Sequence, residues 1–402
     1  MRILWPIVLA GAAAFLNLYA TQPLLPMLAA RFHASAFEAG LTVTAPTVAV
    51  AIFAPFVGRL ADVVGLRRVI VGSAFLLAAA TALAATSASL PQLIAWRFVQ
   101  GVITPGVFAS SVAYIHEIWP AERAGRATAA YMTGTILGGF VGRASAGLIA
   151  SHTDWHLAFA ALGLGALAIA VTLWKTLPDE RTRLDRAALD RRRAVHRAPD
   201  GLRYGQLFRN RRLVATWAIG FCVLFTNVAM FTYVTFHLAA PPYLLSTAAL
   251  GWLFVVYLVG AVVTPLSGKW IDAYGHRLGM TWAMIIGGAG ALLTLVPALW
   301  AIVAGLALSS TGVFIAQTTT SSYIGAVTTN DRGLAVGLYS TFYYAGGSAG
   351  GSAPAIVWNA AGWPGCVALV VIVQIAGAAI ALTQWDRGSV RAVDHGQRSF
   401  VG

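Results

Sequence analysis

Long apolar runs alternate along the whole chain with short clusters of glycine, arginine and acidic residues. About 30 Å of hydrocarbon takes roughly 20 residues of helix to cross, and runs of that length recur from end to end. They predict helices near 4–30, 38–58, 69–87, 91–117, 127–150, 156–174, 213–238, 246–267, 280–297, 299–324, 333–357 and 365–384, an all-α chain of twelve apolar spans. The run through 288–310 is nearly continuous and divides at Val296-Pro297, because undivided it would be about twice one span. One long polar interval, 175–212, carries Arg191-Arg192-Arg193 with Asp179, Glu180, Asp185, Asp190 and Asp200, and it separates the spans six and six. The pattern gives an N-terminal six-helix bundle over 1–174, a linker over 175–212, a C-terminal six-helix bundle over 213–384 and a tail over 385–402.

Composition agrees: 58% of the residues are apolar, 10% are charged, and the mean hydropathy is +0.74. No water-soluble fold hides that much apolar surface, so a lipid bilayer is the solvent for most of the chain. A net charge of +13 raises the question of nucleic acid, and the location of the charges answers it. Arg2, Arg59, Arg67, Arg68, Arg123, Arg126, the 175–212 stretch, Lys269, Arg277, Arg332, Arg387, Arg391 and Arg398 all fall on one side if twelve spans alternate, with Arg31 opposite. The positive-inside rule then places both termini in the cytoplasm, and it favours an even number of spans. The linker reads as a solvated segment, with nucleic-acid binding as the alternative. The first apolar run continues through Leu24, Leu25 and Met27, longer than the core of a cleaved signal. Cys222 and Cys366 sit within or at the edge of spans, so no disulfide framework, metal site or cofactor is expected.

The two halves repeat each other. Gly58-Arg-Leu-Ala-Asp62-Val-Val-Gly65-Leu-Arg67 follows span two, and Gly268-Lys-Trp-Ile-Asp272-Ala-Tyr-Gly275-His-Arg277 follows span eight with the same spacing of glycine, base and aspartate. Tyr131, Gly138, Gly139, Gly142 and Trp155 match Tyr339, Gly346, Gly347, Gly350 and Trp363, each 208 positions later. Coincidence does not supply two such correspondences in the same order, so the chain is a duplicated six-helix unit. Gly58 and Gly65 are expected to let a short chain reverse between helices. The glycines of spans five and eleven are expected to allow close helix packing.

Arg97 and Arg143 are the charged residues well inside spans. An arginine at mid-membrane costs roughly 2.5–3.5 kcal/mol on insertion scales, so each is expected to face an aqueous cavity or a partner, with snorkelling to the interface as the alternative. Gln100 lies one turn from Arg97. No aspartate or glutamate occupies a mid-span position; Glu38, Asp154, Glu117 and Glu122 lie at span ends. That inventory suits an anionic or neutral polar substrate better than a cation. Further candidates for the pathway are Asn17, Tyr19 and Gln22 on span one, Asn227 and Tyr233 on span seven, Gln317 on span ten, and Tyr339 and Tyr343 on span eleven. His116, His156 and His237 lie near helix ends and read as structural.

The loop Gly58-Arg-Leu-Ala-Asp62-Val-Val-Gly65-Leu-Arg67-Arg68 resembles the signature between helices two and three of the major facilitator superfamily, and Arg97-Phe-Val-Gln100-Gly101 is similar to its second motif. Leu18-Tyr19-Ala-Thr-Gln22-Pro23-Leu-Leu-Pro26 and Gly138-Gly139-Phe-Val-Gly142-Arg143 look like YnfM-type inner-membrane transport proteins of bacteria. The resemblance implies a twelve-helix secondary transporter of the bacterial inner membrane that functions as a monomer. Such a protein moves a small molecule between two rocking halves and belongs with the proton-coupled efflux of drugs or metabolites. It also implies that Asp62 docks near residues 332–336 and holds the cytoplasmic side shut, with Gly58, Gly65, Arg67, Arg68, Gly268, Asp272, Gly275 and Arg277 completing the gating loops. Two departures stand out: Leu66 replaces a frequent base, and span five lacks the proline that ends the antiporter motif. No Gly-x-x-x-x-Gly-Lys is present, so an ion gradient, most simply of protons, is the expected driving force. The rival readings are proton-coupled uptake, a membrane enzyme or a channel. An enzyme would need a clustered His/Asp constellation, which the sequence lacks, and a pore does not explain the repeated loop.

Overall fold

The computed structural model describes residues 4–119, 121–178, 200–328 and 332–385, without the side chains of 121–123, 200–204, Lys269, Asp272 and Arg332. Arg2, the Arg191-Arg192-Arg193 run, the C-terminal arginines and the Asp272 side chain lie outside the described residues. Among the described residues the chain is helical, with no strand. The first half comprises α1 (Trp5–Leu16), α2 (Leu25–Phe32), α3 (Ala36–Val64), α4 (Leu66–Ala84), α5 (Leu90–Ile118), α6 (Ala121–His152) and α7 (Trp155–Thr176). After α8 (Asp200–Arg209) the second half comprises α9 (Arg211–Ala239), α10 (Thr247–Trp252), α11 (Val259–Tyr274), α12 (His276–Leu293), α13 (Leu299–Val327), α14 (Arg332–Ser352) and α15 (Pro354–Gln384). Among the described residues, eight helical stretches each have the length and apolarity to cross a membrane unaided, against the twelve that the apolar pattern predicts.

The first predicted span is not one helix. Residues 17–21 form a turn and Gln22–Leu24 a 3-10 helix before α2 begins. Pro23 has no N–H to offer the Tyr19 carbonyl, and its ring crowds that carbonyl, so the α-helical ladder fails there. The Gln22 N–H turns instead to Tyr19, at 3.1 Å, which strips the Leu18 carbonyl of its ordinary partner. The eighth span is likewise interrupted, by a 3-10 helix over Leu253–Leu258 between α10 and α11. The eleventh ends earlier than predicted: α14 stops at Ser352, α15 starts at Pro354, and Gly362 (φ 59, ψ −144) kinks α15 before its long final stretch.

Helix starts follow their caps. Ser35 and Glu38 form a reciprocal capping box at α3, and Ser89, Asp154, Asn210 and Ser246 cap α5, α7, α9 and α10. Gly65 (φ 102) and Gly275 (φ 88) each form a one-residue link between helices, at backbone angles that side chains avoid. The expectation that Gly58 shares this task is corrected: Gly58 and Gly268 lie inside α3 and α11, where a Cβ would meet nothing within 4 Å.

α1 packs on α6 with Gly138 and Gly142 against the backbone of Ala12 and Leu16, and α9 packs on α14 with Gly346 and Gly350 against that of Phe221 and Phe225. The sequence repeat thus appears as the same helix pair in each half. Between halves, α3 runs antiparallel to α14. A Cβ on Gly40 would lie 2.8 Å from the Gly351 carbonyl, Thr44 Oγ1 donates to the Ser348 carbonyl at 3.3 Å, and Ser348 Oγ donates to Thr47 Oγ1 at 3.1 Å. α6 meets α10 in the same sense, with a Cβ on Gly251 2.9 Å from the Arg143 carbonyl. Toward the other end of α3 and α14, Gly58 and Gly337 lie on the same helical faces as these contacts but face open space. The halves are joined at the end of the bundle opposite the start of α1 and the finish of α15.

Candidate substrate site

Arg97, on α5, is wholly buried at the break in span one. Nε donates to the Thr42 carbonyl at 3.0 Å and Nη1 to the Asn17 carbonyl at 2.7 Å and to Gln100 Oε1, while Nη2 donates to the Leu18 carbonyl. Gln100 is held in turn, its Nε2 donating to Thr81 Oγ1 at 3.0 Å. The guanidinium thus satisfies the Leu18 carbonyl that the interrupted helix leaves open and the Thr42 carbonyl whose helical partner would be Pro46, as backbone at membrane depth requires. It is enclosed by protein oxygens rather than facing water.

Arg143, on α6, lies at the seam between halves with 5% of its surface exposed. Nε donates to Gln22 Oε1 and Nη1 to the Gly139 carbonyl, both at 2.8 Å. The guanidinium carbon sits 4.9 Å from the ring centre of Tyr19, 4.8 Å from that of Phe254 and 5.0 Å from that of Tyr257. Each is within cation–π range, an interaction worth about 2 kcal/mol or more when desolvated. The interruption in span eight explains the cage. In a 3-10 helix residues i and i+3 eclipse, which stacks Phe254 over Tyr257 at 6.0 Å and presents both rings to Arg143. Tyr257 is fixed by donating to Asn227 Oδ1 at 2.9 Å. Gln22 also reaches across the seam, its Nε2 donating to Thr232 Oγ1 at 3.4 Å.

Around this cage lie further tyrosines. Tyr343 has Tyr19, Tyr257, Tyr339 and Tyr344 within electrostatic reach, and Tyr344 packs on Phe108 from the other half at 5.8 Å. Tyr339 is tied to Thr320 by a hydroxyl contact of 2.9 Å. Asn17, Tyr19, Gln22, Arg143, Asn227 and Tyr343 therefore gather near the seam. Tyr233 is placed elsewhere: it is fully buried, and its hydroxyl donates to the Gly351 carbonyl at 3.2 Å, beside the joined end. Gln317 is half-buried on α13. Sequence reasoning passed over Phe254, Tyr257, Thr44, Thr232 and Ser348. The one available signal was the i, i+3 spacing of two aromatics, which any apolar span displays.

Of the gating loops, Asp62 is half-buried in the last turn of α3. Arg67 donates from Nε to the Leu177 carbonyl at 2.6 Å and from Nη2 to the Trp174 carbonyl at 2.7 Å. It thereby caps the C-terminus of α7, where open carbonyls and the helix dipole favour a cation. The Tyr114 hydroxyl donates to the Pro178 carbonyl at 2.7 Å, so two side chains anchor the point where the linker leaves the first half.

The family model of the Major Facilitator Superfamily matches residues 7–243 and 235–399. The chain belongs to this superfamily. It is 31% identical over 374 residues to the MFS-type transporter YybF of Bacillus subtilis strain 168, covering 91% of this chain and 89% of that one. It is also 31% identical over 382 residues to the inner membrane transport protein YnfM of Escherichia coli K12, covering 93% and 88%. Among solved structures, it is similar to the human organic anion transporter MFSD10 (TM-score 0.69, 19% identity, 94% and 99% covered). It also resembles a bacterial homologue of the human lysosomal transporter Spinster in an inward-facing, occupied conformation (TM-score 0.73, 14% identity, 94% and 95% covered). The fold is that of the superfamily, a multi-pass membrane protein of a transporter family.

Proposed function

We propose that the protein is a secondary active transporter that exports a small anionic or neutral polar molecule across a bacterial inner membrane, driven by inward flow of protons. The observation that carries this reading is the position of Arg143. A buried positive charge at the seam between two pseudo-symmetric halves, with no carboxylate at mid-span, repels cations and attracts anions. Midplane sites between repeats are the general location for substrate in such folds. The joined end, opposite the start of α1 and the finish of α15, and the open faces of Gly58 and Gly337 support a state accessible from that terminal side. Rocking of the halves would exchange this state for its opposite, with Asp62 bracing the terminal end against the start of α14. The charge distribution supports a cytoplasmic location for that end. MFSD10, an organic anion transporter, shares the fold, which is consistent with an anionic substrate.

Uptake of a small anionic or neutral metabolite is the second reading. It is favoured by α6, which keeps the glycines of the antiporter motif but contains no proline. Everted membrane vesicles separate the two. Export predicts that an anionic compound accumulates in energised everted vesicles and that a protonophore abolishes the accumulation. Import predicts accumulation in right-side-out vesicles instead. Transport confined to cations, or indifferent to the protonophore, would overturn the proposal.

A further inference from the structure

Of the two buried guanidiniums, one donates to four protein oxygens and the other to two. Arg97 donates from Nε, Nη1 and Nη2 to protein oxygens and exposes none of its surface. Arg143 uses Nε and Nη1, and no described residue accepts from its Nη2. No carboxylate among the described residues pairs with it, so its charge is met only by ring faces and by two neutral oxygens. Beside it, the Tyr19 hydroxyl is buried and has no hydrogen-bond partner, although Tyr19 is 94% buried and within electrostatic reach of Arg143. Both amide atoms of Asn17, on the same unwound segment, are in the same condition. A buried charge without a counter-ion and a buried hydroxyl without a partner are each destabilising, and in a native structure such groups call for a functional or solvent partner.

We infer that Arg143 Nη2 and the Tyr19 hydroxyl form the recognition site for the single negative charge of an organic monoanion. The inference rests on the transporter reading above and narrows its substrate class. One guanidinium with an open Nη2 matches one charge, because Arg97 already donates to four protein oxygens and exposes none of its surface. The rings around it fix the rest of the molecule. Phe254 and Tyr257 from one half, Tyr19 from the other, and the neighbouring Tyr343 offer apolar faces to a hydrophobic or aromatic body. Because the rings of α10–α11 and the charge of α6 come from different halves, the site is complete only while the halves are joined at this end. A carboxylate accepts from the phenol and the guanidinium together, and an amide of the same shape loses the charge-assisted bond.

The test is equilibrium binding to the purified full-length protein in detergent, with benzoate, cinnamate and decanoate as probes, alongside benzamide, phthalate and benzyltrimethylammonium. The expected result is saturable binding of at least one monoanion, ten-fold or more tighter than benzamide, phthalate or the cation. Arg143→Gln should weaken it at least ten-fold, and Tyr19→Phe, which keeps the ring and removes the hydroxyl, about three- to ten-fold. Equal binding of the amide, preference for the dianion or cation, failure of all three monoanions, or wild-type binding by a folded Arg143→Gln protein would each overturn the inference. The wild-type selectivity does not depend on either variant folding. Proton-driven transport of a neutral molecule in proteoliposomes, with no monoanion bound or carried, would sink this site while leaving the transporter reading intact. No proton-driven transport of any probe, with monoanion binding preserved, would do the reverse.

Discussion

Arg97 supplies to the break in span one the donors that water supplies to a loop outside the membrane. Its contacts with the Thr42, Asn17 and Leu18 carbonyls leave it a stabilising role, which fixes what its removal should do. Arg97→Gln loses the reach to these carbonyls, and each buried group left without a donor costs about 1–3 kcal/mol. Removing the charge also eases membrane insertion by roughly 2.5–3.5 kcal/mol, but that gain belongs equally to the inserted, unpacked chain and does not offset the loss. Purified Arg97→Gln should therefore unfold at a clearly lower temperature than wild type, by about 3 kcal/mol or more in stability. Arg97→Lys should fall between, since one ammonium cannot span the three carbonyls. An unchanged melting temperature with lost transport would show instead that Arg97 touches substrate. The sequence shows Arg97 and Gln100 sharing a helical face. It does not show that the face meets a broken helix, because the break depends on how Pro23 and Pro26 act on a span whose apolarity never lapses.

At the scale of elements, the glycines of α3 and α14 decide how closely the halves meet. A Cβ on Gly40 would fall 2.8 Å from the Gly351 carbonyl, a backbone atom that cannot turn aside. Gly40→Val therefore wedges the joined end and leaves the opposite state unaffected. Overpacking of this kind costs about 1–3 kcal/mol, roughly a 5- to 150-fold shift in the ratio of the two states. With Cys222 and Cys366 replaced by alanine, a cysteine at Thr44 should react with an impermeant maleimide, added from the joined side, much faster in the Gly40→Val protein. An unaltered rate would mean that the α3–α14 contact does not limit opening. Here the sequence was legible in some features and silent in others. The turn glycine Gly65, and its repeat Gly275, carry local chemistry that reads directly from residue type and spacing, whereas the caps at Ser35 and Ser89 were passed over. The pairing of Gly40 with Gly351 does not, since it joins helices more than 300 residues apart and depends on which faces the two halves present.

For the whole molecule, duplication was the most legible property, because a repeat with constant offset survives in glycine and charge positions even where apolar residues drift. Its physical expression is a bundle in which α1 begins and α15 finishes at the same end. Ile7 packs in one core with Val57, Leu66 and Leu177. Trp385 donates to Thr216 Oγ1 at 3.1 Å and stacks on Tyr323, near the start of α9 and the end of α13. Which side of the membrane that end faces follows from charge. Arg59, Arg67, Arg68, Arg126 and Arg277 all lie there, whereas Arg31 lies at the joined end. Translocation of basic loops is disfavoured, so the end carrying them should be cytoplasmic. Fusions of green fluorescent protein and of alkaline phosphatase at Asp190 and at Val390 test this. Both positions should give fluorescence and neither should give phosphatase activity. The two sites are informative together because six spans separate them in the twelve-span arrangement, and an odd number would place them on opposite sides. Phosphatase activity at Val390 with fluorescence at Asp190 would refute an even number of crossings in the second half. Phosphatase activity at both would invert the orientation and, with it, the assignment of the open end to the cytoplasm.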